Sequence, residues 1–286
     1  LPTIYYVATV TTLIALGLIG GALLSRAPKR DRGLLAAAVL LTVTLSPLAL
    51  YLARLPFDRW FHPLMAGHEG LYRFLTTFYA PFTEEPAKLW PLLIPAFARR
   101  LRRDNAVCVA MALGLGFGIG ELWMIAAQIA GVPWYQFIGY ANERLLVTFF
   151  HGVFTAVALS RFRRGFIFGI LGAMAFHYGA NFPIYLMWLD VGGIGKAPWQ
   201  VIISIYLIIY FFIMAPVLSL VKFGKLQPGR LFFGVAKCPA CGAIYARPLW
   251  GINLGKRRYE RCRQCKKWHM TDEYKKPDVP EPAEYK

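Results

Sequence analysis

Glu84, Glu85 and Lys88 stand together within an apolar stretch. Glu121, His151, His177 and Asn181 follow, each within an apolar stretch of its own. Ionisable groups in such surroundings are costly, and they mark functional sites by default. Lys88 is three residues from Glu85 and four from Glu84, so on a helix it can pair with either carboxylate. His177 and Asn181 are four apart and share a helix face, and His151 with Thr155 repeats that spacing. Glu121 has no cation near it in its own segment, and Glu143 and Arg144 lie near the outer end of the segment holding His151.

A second constellation lies near the C-terminus. Cys238-Pro239-Ala240-Cys241 is followed after 20 residues by Cys262-Arg263-Gln264-Cys265. Two CxxC pairs at this separation read as a four-thiolate zinc site. Few apolar residues surround them, so zinc would supply folding energy there. His269 is too close behind Cys265 to be needed, and Cys108 is left as an apolar-site thiol.

The elements that must position these groups are membrane helices. The chain is 57% hydrophobic and only 16% charged, with a net charge of +17. That composition excludes a disordered chain and argues against a water-soluble enzyme. No alternating strands of an outer-membrane barrel occur. Seven apolar runs are predicted to span: Ile4–Leu24, Leu34–Leu55, Phe74–Ala98, Ala106–Ala130, Leu145–Ser160, Phe166–Leu189 and Trp199–Val221. Pro56–Tyr72 reads as a connection with an interfacial helix anchored by Trp60 and Phe61.

Basic residues cluster in alternate connections, at Arg26–Arg32, Arg99–Arg103 and Arg161–Arg164. The tail after Val221 carries 15 Lys+Arg against 6 Asp+Glu. The positive-inside rule then predicts an outside N-terminus and a cytoplasmic tail, in the plasma membrane. Trp134, Tyr135, Trp188 and Trp199 fall at the predicted outer boundary.

Counted from the cytoplasmic basic residues, Glu84, Glu121, His151 and His177 lie ~15–24 Å deep, and Asn181 ~25 Å. Groups at matching depth on four helices can meet in one site. Glycines 114, 116, 118 and 120, and Gly169 with Gly172, permit close helix approach. Thr83-Glu84-Glu85-Pro86 resembles a helix start, the alternative being a kink in a continuous helix. Spans one, two and seven are expected to contribute no polar group.

These residues resemble the motifs of PrsW-type membrane proteases. Glu84-Glu85-Pro86-Ala87-Lys88 looks like the EExxK motif, and Phe117 to Glu121 resembles FxxxE. Arg144 with His151 and Thr155 resembles the third motif, and His177 to Asn181 the fourth. The wider superfamily includes CAAX prenyl proteases, which carry His where this chain has Glu121. The resemblance implies a metal-independent, glutamic-type intramembrane endopeptidase acting on membrane-anchored proteins. In that reading Glu84 or Glu85 is the general base and His151 holds the water. His177 and Asn181 stabilise the oxyanion, while Glu121 orients a histidine. Lys88 and Arg144 support them. The alternatives are a zinc-dependent membrane protease, a silent scaffold and a proton-coupled transporter.

The expected architecture is therefore all-α and polytopic, with a membrane domain over residues 1–221. A cytoplasmic zinc ribbon (222–272) would hold structural Zn2+ on Cys238, Cys241, Cys262 and Cys265, before a disordered tail (273–286). The ribbon is rich in basic residues, among them Lys256, Arg257, Arg258, Arg261, Arg263, Lys266 and Lys267. Its expected partner is anionic lipid or a cytoplasmic protein, ahead of nucleic acid.

Overall fold

Prolines decide the course of the third apolar segment. Pro86, Pro91 and Pro95 each lack a backbone N–H, and their close succession repeatedly interrupts the helical ladder. In the computed structural model, which describes residues 2–133, 139–161, 165–254 and 257–274, this stretch is a chain of short pieces. Helix α3 (Glu69–Thr77) and α4 (Tyr79–Ala87) are followed by a 3-10 turn (Trp90–Leu93) and by α5 (Pro95–Ala98). Pro91 and Pro95 each sit in a first turn, where the missing N–H costs nothing. Pro86 instead lies in the last turn of α4. Thr83–Pro86 therefore ends a helix rather than starting one, which corrects the expected helix start.

Six helices among the described residues are long and apolar enough to cross a bilayer. They are α1 (Thr3–Arg26), α2 (Lys29–Leu64), α6 (Ala106–Gln128), α7 (Tyr140–Ser160), α8 (Phe166–Trp188) and α9 (Lys196–Phe223). The broken Phe74–Ala98 stretch, expected as a seventh, is not among them. The residues expected to form an interfacial helix after span two continue α2 directly to Leu64. Many large apolar side chains, such as Leu18, Leu40, Ile167 and Phe212, are exposed on these helices. A soluble protein does not display that much apolar surface, whereas a multi-span membrane bundle requires it. Trp134, Tyr135, Arg163, Arg164, Lys256 and the tail from residue 275 lie outside the described residues.

The chain divides into two units, Leu1–Met214 and Ala215–Lys286. In the first, α6 is the central helix. Its glycine run does not form one small-residue face. A Cβ at Gly114 or Gly118 would overlap α7 at Gly152 or Thr148, while one at Gly116 or Gly120 would overlap α2 at Val39 or Val43. Alternate glycines thus press α6 against two different helices, and Thr42 Oγ1 donates to the Leu113 carbonyl at 2.8 Å across one of these contacts. Arg102 makes a two-pronged bond to Asp31, at 3.0 and 2.9 Å, which ties the start of α2 to the loop before α6.

The second unit holds the last turns of α9 and the small β domain that follows them. Helix α10 (Pro228–Phe233) leads into β1 (Val235–Lys237), which pairs antiparallel with β2 (Ile244–Ala246). Strands β3 (Ile252–Leu254), β4 (Arg257–Arg261) and β5 (Trp268–Asp272) form an antiparallel sheet in that order. Glu273 bridges to Ala236 and the Tyr274 N–H donates to the Val235 carbonyl, so the backbone stays paired as far as Tyr274.

Candidate metal centres

The last turn of α4 carries Glu84, Glu85 and, at its cap, Lys88, all fully buried. Glu121 comes from α6, Arg144 and His151 from α7, and His177 from α8. Side chains from these four helices meet in one cluster.

Lys88 chooses Glu85, with Nζ 2.6 Å from Oε1. The same oxygen lies 2.6 Å from Nδ1 of His177. A carboxylate only accepts, so Nδ1 carries a ring proton, and in the neutral imidazole Nε2 presents its lone pair. That nitrogen lies 3.9 Å from Oε2 of Glu84. This oxygen is buried and has no hydrogen-bond partner. The other oxygen of Glu84 accepts from Arg54 at 2.7 Å.

His151 is held at both nitrogens. Lys88 Nζ lies 2.8 Å from Nδ1, and Glu121 Oε2 lies 3.0 Å from Nε2. An ammonium only donates, so His151 accepts at Nδ1 and gives its Nε2 proton to Glu121. Glu121 is also 3.3 Å from Arg144 and is the one partly exposed acid of the cluster, at 15%. The two imidazoles stand nearly perpendicular with centroids 5.2 Å apart. Phe154 stacks on His177 and Phe117 meets His151 edge-on, so apolar walls fix both rings. Asn181, one turn beyond His177, is half-buried.

Arg54 was not expected here, since span two was read as contributing nothing polar. A widened π-type turn over Leu50–Arg54 precedes the end of the apolar run, and such turns recur at functional sites. An arginine closing an apolar span was the available signal.

No family model matches this chain. No curated protein and no solved structure matches it either.

The geometry corrects the metal-independent, glutamic-type reading. One ligand atom each from Glu84, His151 and His177 lies within 4.8 Å of the others, and all three residues are buried. Two imidazoles and a carboxylate are the donor set of catalytic zinc, which leaves a fourth position open. The orphaned Oε2 of Glu84, facing the His177 lone pair, fits such an ion. The Glu85 bond to His177 Nδ1 is the outer support that metal-bound histidines show. His151 would supply the third ligand through a ring nitrogen.

The four tail cysteines form a second cluster, again with all ligand atoms within 4.8 Å. Sγ of Cys238 lies 3.7 Å from that of Cys265, and Cys241 3.9 Å from Cys262. Tetrahedral zinc with bonds of about 2.3 Å sets such edges at roughly 3.8 Å. The two CxxC turns have the same backbone plan. The Gly242 N–H donates to the Cys238 carbonyl, and the Lys266 N–H to that of Cys262. Both residues have positive φ, +70° and +60°. Burial raises the Cys238 thiol, but the N–H groups of Cys241 and Ala240 outweigh it and bring it down to about 7. His269 Nε2 is 4.0 Å from Cys265 Sγ, beside the four-sulfur set rather than within it.

Proposed function

We propose that this chain is a metal-dependent intramembrane endopeptidase, with zinc as the metal that suits its ligands. The observation that carries the reading is the Glu84–His151–His177 cluster buried among bilayer-spanning helices. Glu84, His151 and His177 would hold the ion. Bound there, zinc supplies Lewis acidity towards a peptide carbonyl and lowers the pKa of water.

The protein's own groups do the rest. Glu85 holds the His177 ring in place through Nδ1, and Lys88 fixes Glu85 in turn. Arg54 anchors Glu84 through one oxygen and leaves the other for the ion. Arg144 restrains Glu121 beside His151. Oε2 of Glu85, buried without a partner, is the oxygen left to exchange protons with the reacting amide. The Asn181 amide is the donor assigned to the developing oxyanion. Apolar walls keep bulk water out, which strengthens every one of these interactions.

The PrsW-like order of motifs supports membrane-anchored proteins as substrates. The alternating basic loops support a plasma-membrane location, with the N-terminus outside and the tail cytoplasmic. That topology makes the proline-broken stretch the third of seven crossings in a membrane domain over residues 1–221. The cysteine cluster supports a structural zinc ribbon over 222–272, with backbone pairing that continues to Tyr274.

Comparative membrane proteomics tests the activity. Cells carrying wild type should accumulate cleaved forms of single-span proteins that cells carrying His177→Ala lack. Identical membrane proteomes, with both proteins inserted at equal levels, would overturn the assignment.

A further inference from the structure

The sheet of the C-terminal domain is inside-out. Along β4, Arg258 and Glu260 point inward and are buried, together with Thr271 on β5 and Arg247. Arg258 Nε lies 3.2 Å from Glu260, and Thr271 Oγ1 donates to Glu260 at 2.7 Å. Charges that a small domain would normally give to water thus share its interior with Ala236, Tyr245, Cys238 and Cys262.

The outer face carries the apolar side chains. Register places Ile252, Tyr259 and Met270 in one row across the three strands, and all three are exposed. Leu254 and Trp268 extend that face, Trp268 stacking on Tyr259 at 5.3 Å. Trp250, in the loop before β3, is 78% exposed. Arg257 and Arg261 flank Tyr259 on the same side of β4, and Arg263, Lys266 and Lys267 surround the adjoining CxxC turn. The face therefore pairs an apolar row with a basic rim.

The domain is also fixed to the end of a spanning helix. The Gln227 N–H donates to Ser219 Oγ at 3.0 Å, and the Arg230 guanidinium lies 4.4 Å over the Phe223 ring. Gly229 is so close to the Arg247 backbone that a Cβ there would overlap it. The Arg258 guanidinium closes the chain of contacts, 3.7 Å over the Phe233 ring. The last turns of α9 and the β domain are thus one body.

We propose that the outer face of the β3–β4–β5 sheet docks on the anionic headgroup surface of the bilayer that α9 crosses. Tryptophan and tyrosine prefer that boundary, and lysine and arginine are drawn to its negative lipids. Ile252, Leu254 and Met270 have a place among acyl chains. They offer nothing to a stacked base, which separates this face from a nucleic-acid platform.

The test is hydroxyl-radical footprinting of the full-length protein in nanodiscs, read by mass spectrometry at Trp250, Trp268 and Met270. Moving from purely zwitterionic lipid to discs with about a third anionic lipid should cut labelling of all three about fivefold. The Arg257→Gln/Lys267→Gln variant, with its zinc content unchanged, should lose that difference. Equal labelling in the two kinds of disc overturns the proposal. So does protection that appears only when single-stranded nucleic acid or cytosolic protein is added.

Discussion

Oε1 of Glu85 lies 2.6 Å from Nδ1 of His177, and that contact fixes which nitrogen of the ring is free. Because the carboxylate accepts a hydrogen bond from Nδ1–H, the neutral ring presents Nε2 to Glu84 as a lone pair. A neighbouring glutamate thus leaves this buried histidine with a nitrogen suited to a metal. Glu85→Gln should weaken metal binding at the membrane site about 10–100-fold. Competition against a chelator of known affinity measures this, with the tail cysteines as internal control.

Arg54 supplies a counter-charge to Glu84 from a helix that the sequence reading left out of the site. Arg54→Ala leaves a buried carboxylate oxygen unmet and should lower stability by about 2–3 kcal/mol. Arg54→Lys should recover part of that. Thermal unfolding in matched lipid or detergent gives both values.

Gly118 touches Thr148 on α7, while Gly33 has open space around it. Gly118→Leu should drive α6 from α7 and sharply reduce the yield of folded protein. Gly33→Leu should leave the yield within error of wild type. Monodisperse recovery in size-exclusion chromatography compares the two.

Lys266 occupies the left-handed backbone position that Gly242 fills in the matching turn. The conformation costs a side-chain-bearing residue about 1 kcal/mol, and glycine relieves it. Lys266→Gly should therefore stabilise the zinc-loaded domain slightly, and Gly242→Val should weaken its zinc affinity. Zinc release under increasing chelator reports both.

The apolar runs at Ile4–Leu24 and Phe166–Leu189 were readable because length and hydropathy alone set a spanning helix. The cysteine turns were readable because their spacing is set by coordination. Convergence of Glu121, His151 and His177 followed from depth, which needs only residue counting. The broken third segment was signalled by Pro86, Pro91 and Pro95, and apolar content outweighed them in the reading. Arg54 could not be placed, since its partner is 30 residues away on another helix. The choice between water activated by glutamate and a bound metal also lay beyond sequence. It turns on which imidazole nitrogen is free, and that is a matter of ångströms between Glu84, Glu85 and His177. The inverted sheet was hidden for a similar reason, because Arg258 and Arg257 look alike until register separates them.

The central claim is that a metal sits at Glu84, His151 and His177. Elemental analysis of the purified full-length protein tests it most directly. The account predicts two zinc ions per chain in wild type and one in His177→Ala, with the remaining ion lost only when the tail cysteines are changed to serine. A single zinc in both proteins, lost with those cysteines, would contradict it.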